Sequence, residues 1–279
     1  MTGGPRTAGR LAESRIPLPG TTNVRDLAGY PAASGQVIGT GRLLRGEVLA
    51  HPGGGEHQGV YDATHAQSFR DLGLRTVIDL RAEREVLRTP SAWQQATGAE
   101  VVELPIAEGG EGADTSVIQM LLSGEMARFD ESHMTEFYRS TLSTRATTFG
   151  AALAVLSDAD RLPALVHCSA DKDRTGLLIA LVLDVVGTPR ELVVEDYALT
   201  GVFRPDRIAT FAGLFADAGV DPESARVLFE TPAESMRQVL AELDETYGGA
   251  GGYLVSAGGV DEGVLGSLRR SLLVASPGA

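Results

Sequence analysis

The sequence contains one cysteine, Cys168, and one lysine, Lys172, in 279 residues. A single cysteine excludes an intramolecular disulfide and a cysteine-rich metal site. Aromatic residues make up only 5% of the chain, and no apolar run approaches the about 18 residues that predict a membrane helix. The first 20 residues lack the continuous apolar core of a signal peptide, so we expect a cytoplasmic protein without a membrane span.

Acidic residues outnumber basic ones by 37 to 24, which gives a net charge of −13 and a pI near 4.8. This balance argues against a nucleic-acid polymer or an anionic membrane as a partner. An anionic substrate would be repelled by the average surface, so its binding requires a concentrated positive site. The 24 basic residues less one lysine leave 23 arginines, and the lysine stands four positions after the cysteine. This pairing directs attention to residues 167–176.

Strand-like and helix-like patterns alternate along the chain. Short apolar runs predict a buried strand at 76–80 and further strands at 101–105 and 164–166. Helical patterns occupy 117–129, 134–142, 151–156, 174–186 and much of the C-terminal third, and the charged segment 81–86 is expected to open a helix or a turn. One of the C-terminal helices is predicted to begin with Thr231 as its cap and Pro232 at its first position, and to stop at Gly248.

This alternation predicts an α/β fold with a central, mostly parallel sheet flanked by helices and a helical C-terminal part. We expect a flexible leader over 1–16 and a single domain over 17–279. Within that domain, residues 107–116 are rich in glycine and acidic residues and read as a loop. The longer segment 107–135 is a candidate lid, a prediction that fails if it packs away from Cys168.

The segment from Ala164 to Gly176 reads as a strand, a tight loop and a helix. Backbone N–H groups at such a helix N-terminus bind a phosphate or another tetrahedral anion. The same groups favour a thiolate at Cys168, which is a strong nucleophile toward phosphorus. Arg174, six positions later, can hold two phosphate oxygens with its planar fork. Because Arg174 and the backbone donors stabilise the charge, this chemistry requires no metal or cofactor.

The remaining residues of the segment have supporting roles in this interpretation. The Thr175 hydroxyl can donate to the sulfur and stabilise it as a leaving group, and His167 can orient the loop. The candidate substrate-binding residues are His167, Ser169, Ala170, Asp171, Lys172 and Thr175.

Six segments resemble, in order, motifs of a known family. They are Asn23–Tyr30, Arg42–Gly46, Leu74–Arg81 with Glu83 and Glu85, His167–Gly176, Asp196–Thr200, and the closing Tyr247–Leu273. The chain resembles the bacterial tyrosine-phosphatase-like family, the mycobacterial phosphatase B-like group with related lipid and dual-specificity phosphatases, over roughly residues 20–273. The resemblance implies a cysteine-phosphatase-like fold with Cys168 as nucleophile and Arg174 as phosphate clamp.

The resemblance also implies that Lys172 and Asp173 act at the mouth of the loop. Asp173 and Asp79 are equal candidates for the general acid, and Asp26 is expected to be structural. The family's loop glycine is Asp171 here, in a position that Asp tolerates better than most residues. We expect its carboxylate to point outward and pair with Lys172 or contact the leaving group. Arg25 is expected to form an internal ion pair with Asp26.

These observations predict a phosphomonoester hydrolase that works through a phosphocysteine intermediate, with phosphotyrosine in proteins as the default substrate. One alternative is a phosphatase for a small metabolite, such as a nucleotide or sugar phosphate. A buried, enclosed pocket under 107–135 would favour that alternative, whereas an open mouth would favour phosphoproteins. Another alternative is a phosphate-binding pseudophosphatase in which Asp171 has disabled turnover. Arsenate reduction or sulfur transfer is disfavoured because no second cysteine is present to resolve a disulfide.

Overall fold

The computed structural model describes residues 11–53, 59–107, 117–204 and 208–276. Its strands, β1 to β9, are Arg25–Asp26, Gln36–Ile38, Leu43–Gly46, Leu49–Ala50, Gly59–Val60, Thr76–Asp79, Glu100–Glu103, Ala164–His167 and Leu273–Ala275. Its α-helices, α1 to α13, are Ala66–Arg70, Glu83–Arg88, Trp93–Thr97, Val117–Ser123, Glu131–Thr144, Ala146–Ser157, Asp173–Val186, Arg190–Phe203, Ile208–Asp217, Arg226–Phe229, Ala233–Tyr247, Ala250–Ser256 and Glu262–Leu272.

Strand β8 lies at the centre of a five-stranded sheet of order β1-β3-β8-β6-β7. It pairs in parallel with β3 and with β6, and β6 pairs in parallel with β7. Edge strand β1 is antiparallel to β3. Two small sheets, β2 with β9 and β4 with β5, lie outside it. The carboxyl ends of the parallel strands therefore lie on the same side of the sheet, where the loop 168–172 begins. This arrangement confirms the predicted fold class.

Alternate side chains of the central strands enter two separate apolar clusters. Ile78 and Val166 belong to a large cluster that includes helices α5 to α8 and α11 to α13. Val77 and Leu165 belong to a smaller one with Trp93 of α3. Because successive strand residues point to opposite faces, the two clusters lie on opposite faces of the sheet. Helices therefore cover both faces, as the alternation of elements predicts.

Helix α7 begins directly after the loop 168–172 and runs through the core. Every residue from Arg174 to Leu183 is buried, as expected for a helix that is apolar on nearly all sides. It ends at Gly187 in the left-handed conformation, with φ of 84°, where an added Cβ would lie 2.8 Å from the Cβ of Ala33. Glycine satisfies both constraints. The packing of α7 thus fixes the position of its N-terminus beneath the loop.

The three predicted strands are confirmed as β6, β7 and β8. Helix α4 ends at Ser123, earlier than the predicted helix 117–129. The predicted Thr231 cap is wrong, because its hydroxyl donates to the Ala198 carbonyl oxygen at 3.1 Å and α11 has no side-chain cap. Tertiary packing against α8 takes this hydroxyl away from the helix end. Gly248 terminates α11 in the left-handed conformation, as predicted.

Residues 1–10 of the predicted leader 1–16 lie outside the described residues. Leu11, the first described residue, is buried in the large cluster. Part of the candidate lid, 108–116, is likewise outside them. Across the described ranges, none of the helices has the length and apolar character that a bilayer crossing demands.

Candidate active site

The loop 168–172 joins the central strand β8 to the N-terminus of α7. Val166 of β8 lies level with Arg45 of β3 on one side and with Ile78 of β6 on the other. The carboxyl ends of parallel strands are where α/β sheets bind ligands. The local sequence therefore places Cys168 directly after the central strand, as the first residue of the loop that leads into α7.

A cavity of about 600 Å³ opens over this loop. The chain segment after β8 contributes Cys168, Ser169, Ala170, Lys172, Asp173 and Arg174 to its lining. The other walls come from α2, α4, α8, α9, α10 and the segment 230–232, and include Val117, Ile118, Val202, Arg204, Phe211, Arg226 and Phe229. Cys168 is only 2% exposed although it belongs to the lining, so little of its surface is open to the cavity. The structure thus brings six of the predicted site residues together.

Arg174 holds a carboxylate in the position expected for a phosphate clamp. Its Nη2 donates to Oε1 of Glu85 at 2.9 Å, and its Nη1 donates to Oε2 of Glu85 and to the Ile106 carbonyl oxygen at 3.2 Å. Ser169 Oγ also donates to Oε1 of Glu85, at 2.5 Å. Although burial acts in the opposite direction, the hydrogen bonds from Arg174 and Ser169 lower the pKa of Glu85 to about 2. The forked pairing is the geometry that a phosphate group would also use.

His167 and Asp79 lie beneath the loop, at the ends of β8 and β6. His167 Nδ1 is 3.0 Å from the Cys168 carbonyl oxygen, and its Nε2 is 3.6 Å from Oδ2 of Asp79. Burial lowers the pKa of His167, with Asp79 acting against it. Asp79 accepts hydrogen bonds from the backbone, Nε and Nη2 of Arg81. Asp79 is buried and does not belong to the cavity lining.

Asp171 points into the protein, and the expectation that it faces outward is wrong. Its φ of 56° is left-handed, and the side chain is fully buried. Oδ1 accepts from Arg45 Nε at 2.9 Å, and Oδ2 accepts from Arg25 Nη1 at 2.8 Å and from Asn23 Nδ2 at 2.7 Å. The left-handed turn directs the carboxylate to two guanidinium groups beneath the loop, away from Lys172.

Four buried charges form a closed cluster under the loop: Arg25, Arg45, Asp171 and Asp196. Arg25 Nε lies 3.1 Å from Oδ1 of Asp196, and Arg45 Nη1 lies 2.5 Å from its Oδ2. The predicted ion pair of Arg25 with Asp26 is therefore wrong. Asp26 instead accepts from the backbone N–H groups of residues 28 and 41, a structural role. The cluster joins the N-terminal and Asp196–Thr200 motifs to the loop.

Lys172 is directed at the cavity wall. Its Nζ donates to the carbonyl oxygens of Leu228, at 2.6 Å, and Glu230, at 3.0 Å. It also lies 3.3 Å from Oδ1 of Asp173. From the other side of the loop, Arg204 Nη1 donates to the Ala170 carbonyl oxygen at 2.8 Å. The loop is thus held by the residue that follows α8 and by the C-terminal end of α10.

Asp173 is the first residue of α7, and its side chain is 19% exposed in the cavity. Its Oδ1 accepts a hydrogen bond of 2.6 Å from the hydroxyl of Tyr138 on α5. The Tyr138 hydroxyl is also 2.6 Å from that of Tyr197 on α8. Thr175, two residues further on, has a buried hydroxyl with no hydrogen-bond partner among the described residues.

Sequence reasoning missed the partners that lie far along the chain. Glu85 was noted only as part of a motif, and Tyr138 and Arg204 were not singled out. The spacing Arg81-x-x-x-Glu85 after a strand was the available signal for Glu85. For Tyr138, 35 positions from Asp173, no local signal exists. In the described ranges, no three His, Cys, Asp or Glu side chains are grouped so that they could hold a metal ion.

A buried cysteine at the end of a central parallel strand, with an arginine six positions later in the first turn of a helix, defines a cysteine-dependent phosphatase. The sequence model of the tyrosine phosphatase family matches residues 16–274. The chain is also 31% identical, over 285 residues, to the triple specificity protein phosphatase PtpB of Mycobacterium tuberculosis (strain ATCC 25618 / H37Rv), covering 92% of this chain and 98% of that protein. The chain belongs to the tyrosine phosphatase family.

Two further similarities are more distant. A tyrosine-protein phosphatase of Nostoc commune is 29% identical over 193 residues, covering 67% of this chain and 62% of its own length. The crystal structure of the core catalytic domain of the PP-IP phosphatase SIW14 from S. cerevisiae aligns with a TM-score of 0.34 and 12% identity, covering 83% of this chain and 98% of the other.

Proposed function

We propose that the protein hydrolyses phosphomonoesters in two steps, with Cys168 as the nucleophile and a phosphocysteine intermediate. The observation that supports this most directly is the shared cavity of Cys168 and Arg174 at the N-terminus of α7. In the first step the sulfur attacks phosphorus, the S–P bond forms and the bond to the leaving oxygen breaks. In the second step water attacks phosphorus and the thiolate leaves.

Arg174 and the loop N–H groups would stabilise the charge on the phosphoryl oxygens. In the resting arrangement the fork of Arg174 is occupied by Glu85, so an entering phosphate exchanges with this carboxylate. The buried Thr175 hydroxyl follows the clamp on the first turn of α7 and has no described partner, which leaves it available to donate to the sulfur as it departs. Ser169 and Ala170 contribute the loop backbone at the cavity surface.

For the general acid we favour Asp173 over Asp79. Asp173 lines the cavity with Cys168, whereas both carboxylate oxygens of Asp79 accept from Arg81 below the sheet edge. The proton on the leaving oxygen has to come from a group within hydrogen-bond reach. Asp79 is better suited to hold Arg81 and, through His167, the start of the loop.

The cavity suits an aromatic phosphate ester. Its apolar walls include Val117, Phe211 and Phe229, and the Cys168 that shares this cavity is 2% exposed. A phenyl ring packs well against aromatic and apolar walls. Phosphotyrosine is therefore the substrate we propose first, in line with the name of the tyrosine-protein phosphatase of Nostoc commune.

A small phosphorylated metabolite is the second candidate. Val117 and Ile118, from the segment 107–135, stand in the cavity wall with Cys168. A wall at that position limits the space for a polypeptide. The pseudophosphatase alternative depended on Asp171 interfering with turnover in the cavity. The side chain is instead turned away from the cavity and pairs with Arg25 and Arg45, so we do not retain this alternative.

The test is phosphate release in the presence of a chelator, comparing the wild type with Cys168→Ser. The panel contains phosphotyrosine and phosphoserine peptides, phosphoinositides, nucleotides and sugar phosphates. We expect release that disappears in the variant, and a radiolabelled phosphoenzyme in the wild type after rapid acid quench. Preference for a nucleotide or sugar phosphate would select the second candidate. Release that persists in Cys168→Ser would contradict the cysteine mechanism.

A further inference from the structure

Two buried tyrosines converge on the proposed general acid. Tyr138 and Tyr197 are 0% and 1% exposed, and their rings meet edge to face with centroids 6.0 Å apart. Their hydroxyls and Oδ1 of Asp173 form a chain with two links of 2.6 Å each. Burial, reinforced by the Asp173 carboxylate, raises the pKa of Tyr138 and of Tyr197 well above the ordinary value. Both phenols therefore stay protonated and act as donors.

The direction of this chain follows from the donors around Asp173. Oδ1 has the Tyr138 hydroxyl at 2.6 Å and the Lys172 ammonium at 3.3 Å. An ammonium group donates only, so Oδ1 serves as an acceptor and does not carry the acid proton. Tyr138 then donates to Asp173 and accepts from Tyr197. Oδ2 accepts no hydrogen bond from the described residues.

From this asymmetry we infer that Tyr138, supported by Tyr197, is a positioning residue that reserves Oδ2 of Asp173 as the oxygen that exchanges the catalytic proton. This inference rests on the proposed role of Asp173 as general acid. In the first step the proton passes from Oδ2 to the leaving oxygen as the P–O bond breaks. In the second step Oδ2 takes a proton from the attacking water as the P–S bond breaks. Oδ1 stays hydrogen-bonded throughout, which fixes the plane of the carboxyl group.

The Tyr138 side chain is fully buried, so its hydroxyl reaches Asp173 from the protein interior. Tyr138→Phe keeps the ring contact with Tyr197 and removes only the donor. Tyr253→Phe is the matched control, since Tyr253 is also buried and its hydroxyl donates to the Leu142 carbonyl oxygen. The control removes one buried phenol hydroxyl at a place that does not line the cavity.

The experiment measures kcat/KM for phenyl phosphate, whose leaving group needs a proton, and for p-nitrophenyl phosphate, whose leaving group needs it far less. Asp173→Asn is expected to lose at least about 100-fold on phenyl phosphate, the typical scale of general acid catalysis. It should lose much less on p-nitrophenyl phosphate. Tyr138→Phe is expected to lose about 10-fold on phenyl phosphate, since one hydrogen bond to a charged group is typically worth somewhat more than that factor. Tyr197→Phe should show the same preference more weakly.

The double variant of Asp173→Asn and Tyr138→Phe should match Asp173→Asn alone, because the two residues act through one group. The control Tyr253→Phe should affect both substrates equally. If Tyr138→Phe also lost the same factor on both substrates, the positioning role would be overturned and Asp173 would remain the acid. If Asp173→Asn itself showed no dependence on the leaving group, the assignment of the acid would fall, and the inference with it. Tyr197→Phe supplies an independent reading if Tyr138→Phe fails to fold.

Discussion

Neutralising Asp171 should strongly destabilise the protein. The buried cluster contains two guanidinium groups and two carboxylates, so Asp171→Asn leaves Arg25 and Arg45 facing Asp196 alone. Removing one partner from a buried ion pair costs about 3–5 kcal/mol. Asparagine tolerates the left-handed φ of 56° as well as aspartate does, so the substitution keeps the backbone geometry while it removes the charge and one of the two oxygens that accept hydrogen bonds from Arg25, Arg45 and Asn23.

The assay is thermal and urea unfolding of wild type and variant. At about 2–4 °C per kcal/mol for a chain of this size, the melting temperature should fall by roughly 6–20 °C. Asp244→Asn is the matched control. Asp244 pairs with Arg190 at 2.9 Å, but the Asp244 side chain is 53% exposed. An exposed pair contributes about 1 kcal/mol or less.

Activity gives a second measure of the same substitution. Asp171 shapes the loop whose N–H groups we propose to bind phosphate, so the variant should also bind inorganic phosphate more weakly as a competitive inhibitor. If Asp171→Asn were no less stable than Asp244→Asn, the buried cluster could not be what holds the loop. Added salt should leave the loss in stability unchanged, because buried charges are little screened.

Three further results are expected. Because the pKa of Glu85 is lowered from 4.5 to about 2, its pairing with Arg174 stabilises the fold above pH 4.5 and is lost as the pH falls toward 2. The difference in melting temperature between wild type and Glu85→Gln should shrink over that interval, and a constant difference would contradict the pairing. Lys172→Met removes both hydrogen bonds to the carbonyl oxygens of the segment 228–230, so KM should rise more than kcat falls in steady-state assays. A loss in kcat alone would argue for a direct role of Lys172 in the chemistry. Thr175→Val should slow the second step, which rapid quench would detect as accumulated phosphoenzyme on Cys168; an unchanged level would exclude the hydroxyl from sulfur departure.

The elements around the catalytic loop could be predicted from local sequence. The run 164–166 and the apolar stretch from Arg174 to Val186 carry enough signal to define β8 and α7, with the cysteine in the loop between them and its arginine in the first turn of α7. Period and composition are properties of neighbouring residues, so they identify such elements directly.

The partners of the loop residues could not be predicted in this way. Asp171 was expected to face outward. Its partner Arg25 lies 146 positions away, and no residue near Asp171 in the sequence indicates that contact. Thr231 has the local pattern of a cap, yet its hydroxyl bonds to Ala198. In both cases a contact made only in the folded domain decides the direction of a side chain, and a single sequence does not contain that contact.

The buried ion cluster also has a consequence for biosynthesis. Its members come from the start of the chain and from its second half, with Arg25 and Asp196 separated by 171 positions. A chain that has emerged from the ribosome only through the first turn of α7 already contains Cys168 and Arg174, but it lacks the carboxylate of Asp196 that balances the guanidinium groups. We therefore expect the catalytic loop to reach its working shape only after α8 has been synthesised. A nascent or truncated chain would hold the reactive cysteine without the competence to use it.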